Sequence, residues 1–465
     1  MTRRLHPAGI AVLGFRALRE IAVPALIALV ATVGGGGLDS GSLVRAAAFA
    51  LAAAGFAVLA GYVSWRTVSY AISDTAISVR RGVFSVKETV VPLERVQAVD
   101  TIQGPLQRLF GVTSVHVQSA GGSRQGEIVL EALAPAAAAE LRERIGQGAR
   151  AVAAADPARE PDAVWRLGTG RLAVAALTAG QLGVILPVLA AAGQFADDLV
   201  GDPNGRGSAV DVVPDTLGEA ELALLALLGL AWLLSILGAI VAFAGFNAVR
   251  EGDRLHIRRG LLARREATVP VARVQAAVVV AGVLRQPFGL AALRVEVAGY
   301  AKEAAAAQTL CPLLRASEVE GFLAAMLPGL ADDGGRLAPA PPRALRRHLI
   351  VPVGIALAGG AAVAAAGLGA WGVALLLPAL AKGILDHRSA GWRLEEDRVV
   401  LRFRRLAQRT VIVPTRRVQR HELFQTPFQR RAGLAGFRVA AGAGTRASVT
   451  HLEEPVARAL FERVR

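Results

Sequence analysis

Cysteine is almost missing from this chain. Cys311 is the only one in 465 residues, which excludes an intrachain disulfide and a cysteine-built metal site. The seven histidines (His6, His116, His256, His348, His387, His421, His451) form neither an HExxH pattern nor a paired spacing. No metal and no cofactor are therefore expected. Lysine occurs only at Lys87, Lys302 and Lys382, and the Arg and Ala bias reads as genomic composition. Aromatics are 5% of the chain and sparse around the basic clusters, so the stacking platform of a nucleic-acid binder is lacking. No nucleophile–base pair or carboxylate pair recurs, and an enzyme is not expected. The run Gly367-Leu368-Gly369-Ala370-Trp371-Gly372 matches GxGxxG, but no strand precedes it and no acidic partner follows.

What is abundant is apolar. The apolar fraction is 53%, only 19% of residues are charged, and the mean hydropathy is +0.45. That is the composition of a membrane protein with soluble parts. Six stretches could each cross a bilayer as helix, in three hairpins. They are Ile21 to Leu38 with Val44 to Trp65, Leu172 to Gly193 with Ala220 to Asn247, and Leu349 to about Gly367 with Leu368 to Leu385. The last pair is rich in Ala and Gly, which suits close packing of small-residue faces, although one kinked or re-entrant element fits nearly as well.

The net charge of +15 suits either anionic lipid or the positive-inside rule. Arg3, Arg4, Arg16 and Arg19 precede the first helix, Arg66 follows the second, and Arg343, Arg346 and Arg347 precede the fifth. The loop between helices three and four is acidic, with Asp197, Asp198, Asp202, Asp211, Asp215 and Glu219 against Arg206. This asymmetry predicts a multi-pass protein of the bacterial cell membrane with both termini cytoplasmic. Apart from residues such as Gln181 and Ser235, the spans lack the polar groups of an ion path.

One phrase is written three times: VPLERVQAVDTIQGPLQRLFGVTSVHV from Val91, VPVARVQAAVVVAGVLRQPFGLAALRV from Val269, and VPTRRVQRHELFQTPFQRRAGLAGFRV from Val413. Pro92, Pro270 and Pro414 stay in step without a gap, as do Gly111, Gly289 and Gly433. A period this long means copies of a whole domain. Each copy reads as short strands, such as Ile77 to Val79, Leu255 to Ile257, Val399 to Phe403 and Thr113 to Gln118, closed by a helix. The second closing helix should open at Ser317 with Glu320 as a capping box. Basic turns Arg80-Arg81-Gly82 and Arg258-Arg259-Gly260 recur, whereas Arg404-Arg405 lacks the Gly and must turn differently.

The expected division is 1–66 (N-terminal segment and first hairpin), 67–147 (domain one), 148–165 (linker), 166–248 (second hairpin) and 249–330 (domain two). There follow 331–345 (linker), 346–388 (third hairpin) and 389–465 (domain three). The turn, PLERVQAVD and QGPLQRLFGVTSVHV resemble the bacterial pleckstrin-homology (PH) domain, also called the membrane-flanked domain. The resemblance covers nearly the whole chain and implies an α+β membrane protein, with three hairpins alternating with small PH-like barrels. It carries over no catalytic residue.

Arg95, Gln97, Arg273, Gln275, Arg417 and Gln419 recur in every copy. They either line a groove for a peptide, a lipid headgroup or another copy, or bond loop carbonyls within the fold. Arg80, Arg81, Arg258, Arg259, Arg404 and Arg405 are candidates to face anionic lipid, or they only fix topology. The expected function is a non-enzymatic membrane scaffold binding a protein partner, itself or anionic headgroups. The alternative is a transporter or lipid translocator regulated by these domains.

Overall fold

The computed structural model describes residues 2–19, 40–73, 75–82, 86–93, 96–119, 127–141, 161–178, 217–298, 309–331, 334–365, 371–441 and 445–464. They form two compact units. One comprises Met1–Arg159, Gly168–Asn247 and Arg258–Thr268; the other comprises Glu160–Leu167, Ala248–Ile257 and Val269–Arg465.

Copy one opens with strand β1 (Thr2–Arg4), ahead of helices α1 (9–19) and α2 (Ser40–Thr67). Then come β2 (Ser69–Ile72), β3 (Ala76–Arg81), β4 (Lys87–Pro92), β5 (Val96–Gln103), α3 (Pro105–Leu109), β6 (Thr113–Ser119), β7 (Glu127–Leu133) and α4 (135–141). One antiparallel sheet runs β1-β2-β3-β4. β5 pairs with β6 and β6 with β7 to make the second. Alternation along these strands turns Ile77, Val79, Val115, Val117 and Leu130 into a single core with Leu141 of α4.

Copy two repeats the plan with β8 (Ala163–Arg166), α5 (Thr169–Leu177), α6 (Leu217–Phe243), β9 (Asn247–Glu251), β10 (Arg254–Arg259) and β11 (Arg264–Pro270). β12 (Val274–Ala281), β13 (Leu290–Val297), β14 (Thr309–Arg315) and α7 (Val319–Met326) complete it. Copy three starts with β15 (Ala338–Pro339), α8 (Ala344–Val363), α9 (Trp371–Ala374) and α10 (Leu376–Ser389). Its remaining elements are β16 (Gly391–Leu394), β17 (Arg398–Arg404), β18 (Gln408–Pro414), β19 (Arg420–Phe424), α11 (Pro427–Arg431), β20 (Leu434–Ala441), β21 (Thr445–Glu453) and α12 (Glu454–Arg463). Its core lies between β16–β18 and β19–β21, closed by Ala457 and Leu460 of α12.

The repeated glycines have one local cause. Gly111, Gly289 and Gly433 sit at φ of 63°, 61° and 62°, a left-handed conformation that costs glycine no Cβ clash. The basic turns divide as expected: Gly82 and Gly260 take φ of 127° and 104°. The glycine-free third turn is a short loop between the paired Arg404 and Gln408, where the Arg405 N–H donates to the Ala407 carbonyl at 3.3 Å.

Three expectations need correction. The segment 1–66 and the linkers 148–165 and 331–345 contribute β1, β8 and β15 to the domains, pairing with β2, β9 and β16. Each hairpin is thus inserted after a domain's first strand. A strand's backbone groups need partners, and the chain returning from the helices supplies them. The second closing helix does not open on Ser317. A 3-10 turn at Ala316–Glu318 precedes it, and the Glu318 carboxylate accepts from the Arg315 N–H at 3.0 Å.

Third, six spanning helices are not supported. Residues 21–38 lie outside the described residues, and the expected span 172–193 is described only to Thr178. Among the described residues one helix, Ala47–Thr67, is long and apolar enough to cross a membrane, while Leu228–Phe243 of α6 is shorter. In the last pair, Arg346, Arg347 and Pro352 sit in α8, and the return is split into α9 and α10 with Lys382 and Asp386. The small-residue contact expected there is present: a Cβ on Gly360 would meet the Gly372 carbonyl oxygen at 2.8 Å.

Candidate functional site

The PxxRVQ phrase builds a corner. Pro270 and Pro414 fix extended backbone (φ −66° and −61°) and lead into one-turn 3-10 helices at Val271–Arg273 and Thr415–Arg417. The chain leaves each corner along a new strand, so the strands before and after the phrase belong to different sheets. That leaves an edge strand before and after each corner, and at two places the strand after one corner meets the strand before the next. β5 pairs antiparallel with β11, and β12 with β18. At the second junction Ile412 is 1% exposed, and Ala276 and Val278 of β12 pack into the core of copy three.

The recurring Arg and Gln serve these corners. Arg417 donates through Nη2 to the carbonyl of Ala272, in the preceding copy's corner. Buried Gln275 donates to the Arg273 carbonyl at 3.4 Å. The exposed Gln419 N–H donates to the Ala440 carbonyl at 3.0 Å. Gln97 lies in β5, and Arg95 is outside the described residues. For Arg417, the carbonyl-binding role and the contact with another copy are the same interaction.

The basic turns are not equivalent. Arg80, Arg81, Arg258 and Arg405 are exposed. Arg258 also binds Glu266 at 2.8 Å, and the half-buried Arg259 guanidinium sits over the Phe243 ring, 5.0 Å from its centroid. Arg404 turns inward, where Nε donates to Ser389 Oγ at 3.1 Å and Nη2 to Gln286 Oε1. Burial pushes the Arg404 pKa down, and does the same to Arg402 and Arg409.

Sequence reading missed one cluster, because its members are far apart along the chain. Where the third helix pair meets copy three, His348 packs edge-on to His451 (ring centroids 4.8 Å) and lies 5.8 Å from His387. His451 Nδ1 is 3.0 Å from Nε2 of buried Gln429, which Thr426 holds through a capping box. Burial, with Arg347 nearby, lowers the His451 pKa to about 4. His348 and His451, with the Lys382–Asp386 ion pair, form the polar mouth of a groove whose walls include Val351, Ile355 and Leu375. Among the described residues no group of His, Cys, Asp and Glu is placed to hold a metal.

Three in-step corners, each followed by three antiparallel strands, with helices inserted after the first strand, define a tandem PH-like protein. The chain belongs to the bacterial PH domain family, whose model matches residues 22–149, 172–327 and 350–465. The second and third matches begin within α5 and α8, after β8 and β15, and the first begins at residue 22, outside the described residues. A relative, the UPF0699 transmembrane protein YdbT of Bacillus subtilis (strain 168), is 27% identical over 416 residues, covering 81% of this chain and 80% of the relative. UPF0699 transmembrane protein YdbS of the same organism is 38% identical over 56 residues, 12% of this chain and 33% of its own.

Proposed function

We propose that this chain is a non-catalytic integral-membrane scaffold, held in a bacterial cell membrane with its PH-like domains and both termini on the cytoplasmic side. One observation carries the reading. The Ala47–Thr67 helix has only 11% of its most apolar window buried by protein, and Leu51, Val58 and Leu59 stand more than half exposed. An apolar surface of this length suits lipid. It also agrees with the relative named a transmembrane protein.

The domains receiving this anchor carry exposed basic turns at Arg80, Arg81, Arg258 and Arg405, suited to anionic headgroups at about 1 kcal/mol for each arginine near the surface. Arg404 belongs to the fold and is left out of this face. In the test, the chain is purified from native membranes after an alkaline carbonate wash, and co-purifying phospholipid is quantified. The expected result is retention through the wash and a several-fold loss of anionic lipid when the four exposed arginines become Gln. Release by carbonate would overturn the anchoring; unchanged lipid would overturn the headgroup role. A second reading, lipid translocation, draws on the apolar groove with a polar mouth beside α8 and α10.

A further inference from the structure

The chain joins its own domains twice by one rule. β11 meets β5 with Arg264 opposite Gln103, Arg265 opposite Ile102 and Glu266 opposite Thr101. β18 meets β12 with Gln408 opposite Ala281, Arg409 opposite Val280 and Thr410 opposite Val279. Arg264 and Gln408 stand at the same step before Pro270 and Pro414. Gln103 and Ala281 stand at the same step after Val96 and Val274. The two junctions therefore share one register, always between the strand after one copy's corner and the strand before the next copy's corner.

Applied to all three copies, the rule leaves two ends. Among the described residues, β4 has only β3 as a partner and β19 only β20. Both are shorter than their joined equivalents: β4 runs Lys87–Pro92 against Arg264–Pro270 and Gln408–Pro414, and β19 runs Arg420–Phe424 against Val96–Gln103 and Val274–Ala281. The loss of cover shows in side chains too. Val90 is 56% exposed, and its counterpart Ile412, covered at a junction, is 1% exposed. Val86, at the same edge, is 52% exposed. An edge strand of this kind presents unpaired N–H and C=O groups, a template for pairing with another chain.

We propose that copies of this chain join head to tail, β4 of one pairing antiparallel with β19 of the next, in the register used at the two internal junctions. This rests on the scaffold reading only in placing the copies in one membrane. The register puts Lys87 opposite Phe424, Glu88 opposite Leu423, Thr89 opposite Glu422 and Val90 opposite His421. Lys87 then lies diagonal to Glu422 and Glu88 diagonal to His421, within reach across an antiparallel pair. No like charges face each other. A head-to-tail contact closes into a ring if the rotation permits, and otherwise extends.

The test uses two differently tagged full-length chains, one Glu88→Cys and the other Leu423→Cys, co-expressed and oxidised in isolated membranes. Cys311 is buried and stays silent. A mixed-tag disulfide dimer is expected, and at least tenfold less when Glu422→Cys replaces Leu423→Cys, because adjacent residues on a strand point to opposite faces. A single chain carrying Glu88→Cys and Leu423→Cys should give a ladder of multimers. Val279→Cys with Thr410→Cys in one chain, paired at an internal junction, reports that the fold and the oxidant are in order. If that control closes while no mixed dimer forms, or the dimer is equally strong with Glu422→Cys, the proposal is overturned. Capture of another protein at Glu88→Cys in place of a second copy overturns it as well. Carbonate retention and lipid co-purification are scored separately, so either reading can fail alone.

Discussion

Ile412 lies opposite Ala277 across the junction between copies two and three, and is 1% exposed. Ile412→Ala removes three carbons from that contact. At about 0.8 kcal/mol per buried methylene the transfer loss is about 2.4 kcal/mol. Incomplete collapse around the hole raises the total to about 3 kcal/mol. In a chain of several domains one melting temperature is not well defined, so the readout should be local. Amide hydrogen exchange on the membrane-extracted protein resolves β12, β17 and β18 from β2 and β3. A loss of about 3 kcal/mol is about two decades in an opening equilibrium. Amides of β12, β17 and β18 should therefore exchange about 100-fold faster, while those of β2 and β3 keep their rates. An acceleration below about threefold would mean that Ile412 is not sealed by the neighbouring copy, and the strand-paired junction would have to be abandoned.

Other perturbations test separate features. Gly61→Leu should split α1 from α2, because even a Cβ there would clash with the Ile10 carbonyl oxygen; protease resistance of residues 9–19 would be lost. Arg404→Ala should destabilise copy three by about 1–3 kcal/mol through the unpaired Gln286 and Ser389, and Arg405→Ala by less than about 0.5 kcal/mol, compared by urea-dependent exchange. Copy three should also weaken in acid. The folded His451 titrates near 4 against 6.5 when unfolded, so between those values the unfolded chain holds the extra proton. Stability then falls as pH drops from about 6.5 towards about 4 and levels off below. His451→Asn, which keeps a residue tolerant of φ 62° at that position, should flatten this slope when unfolding is followed at pH 7.5 and 5.

How much of this was legible in the sequence depended on whether the signal was local. The left-handed glycines at 111, 289 and 433 and the prolines of the corners impose their geometry on a few residues, so the repeated phrase announced both the domains and their closing strands. The partner of a strand is not local information. β4 and β18 both end in Val-Pro, yet β18 is joined to another copy, while β4 has only β3 beside it among the described residues. β1, β8 and β15 are too short to show an alternation, so the sequence reads there only as an N-terminal segment and two linkers. The histidine cluster was invisible for the same reason, with His348, His387 and His451 on three separate elements.

The insertion of each helical pair behind a domain's first strand bears on how the protein can be taken apart. A soluble fragment begun at residue 67 would discard β1 together with Leu5, which is 4% exposed in the core of copy one, and Arg3, which binds Glu140 at 2.7 Å. Such a fragment carries a sheet with a missing slat and an uncovered core. A faithful excision has to keep residues 2–5, delete the helices, and close the gap to Ser69 with a short flexible bridge. By the same logic, a ribosome making this chain cannot finish any of its three domains until the helices interrupting that domain have been released and disposed of.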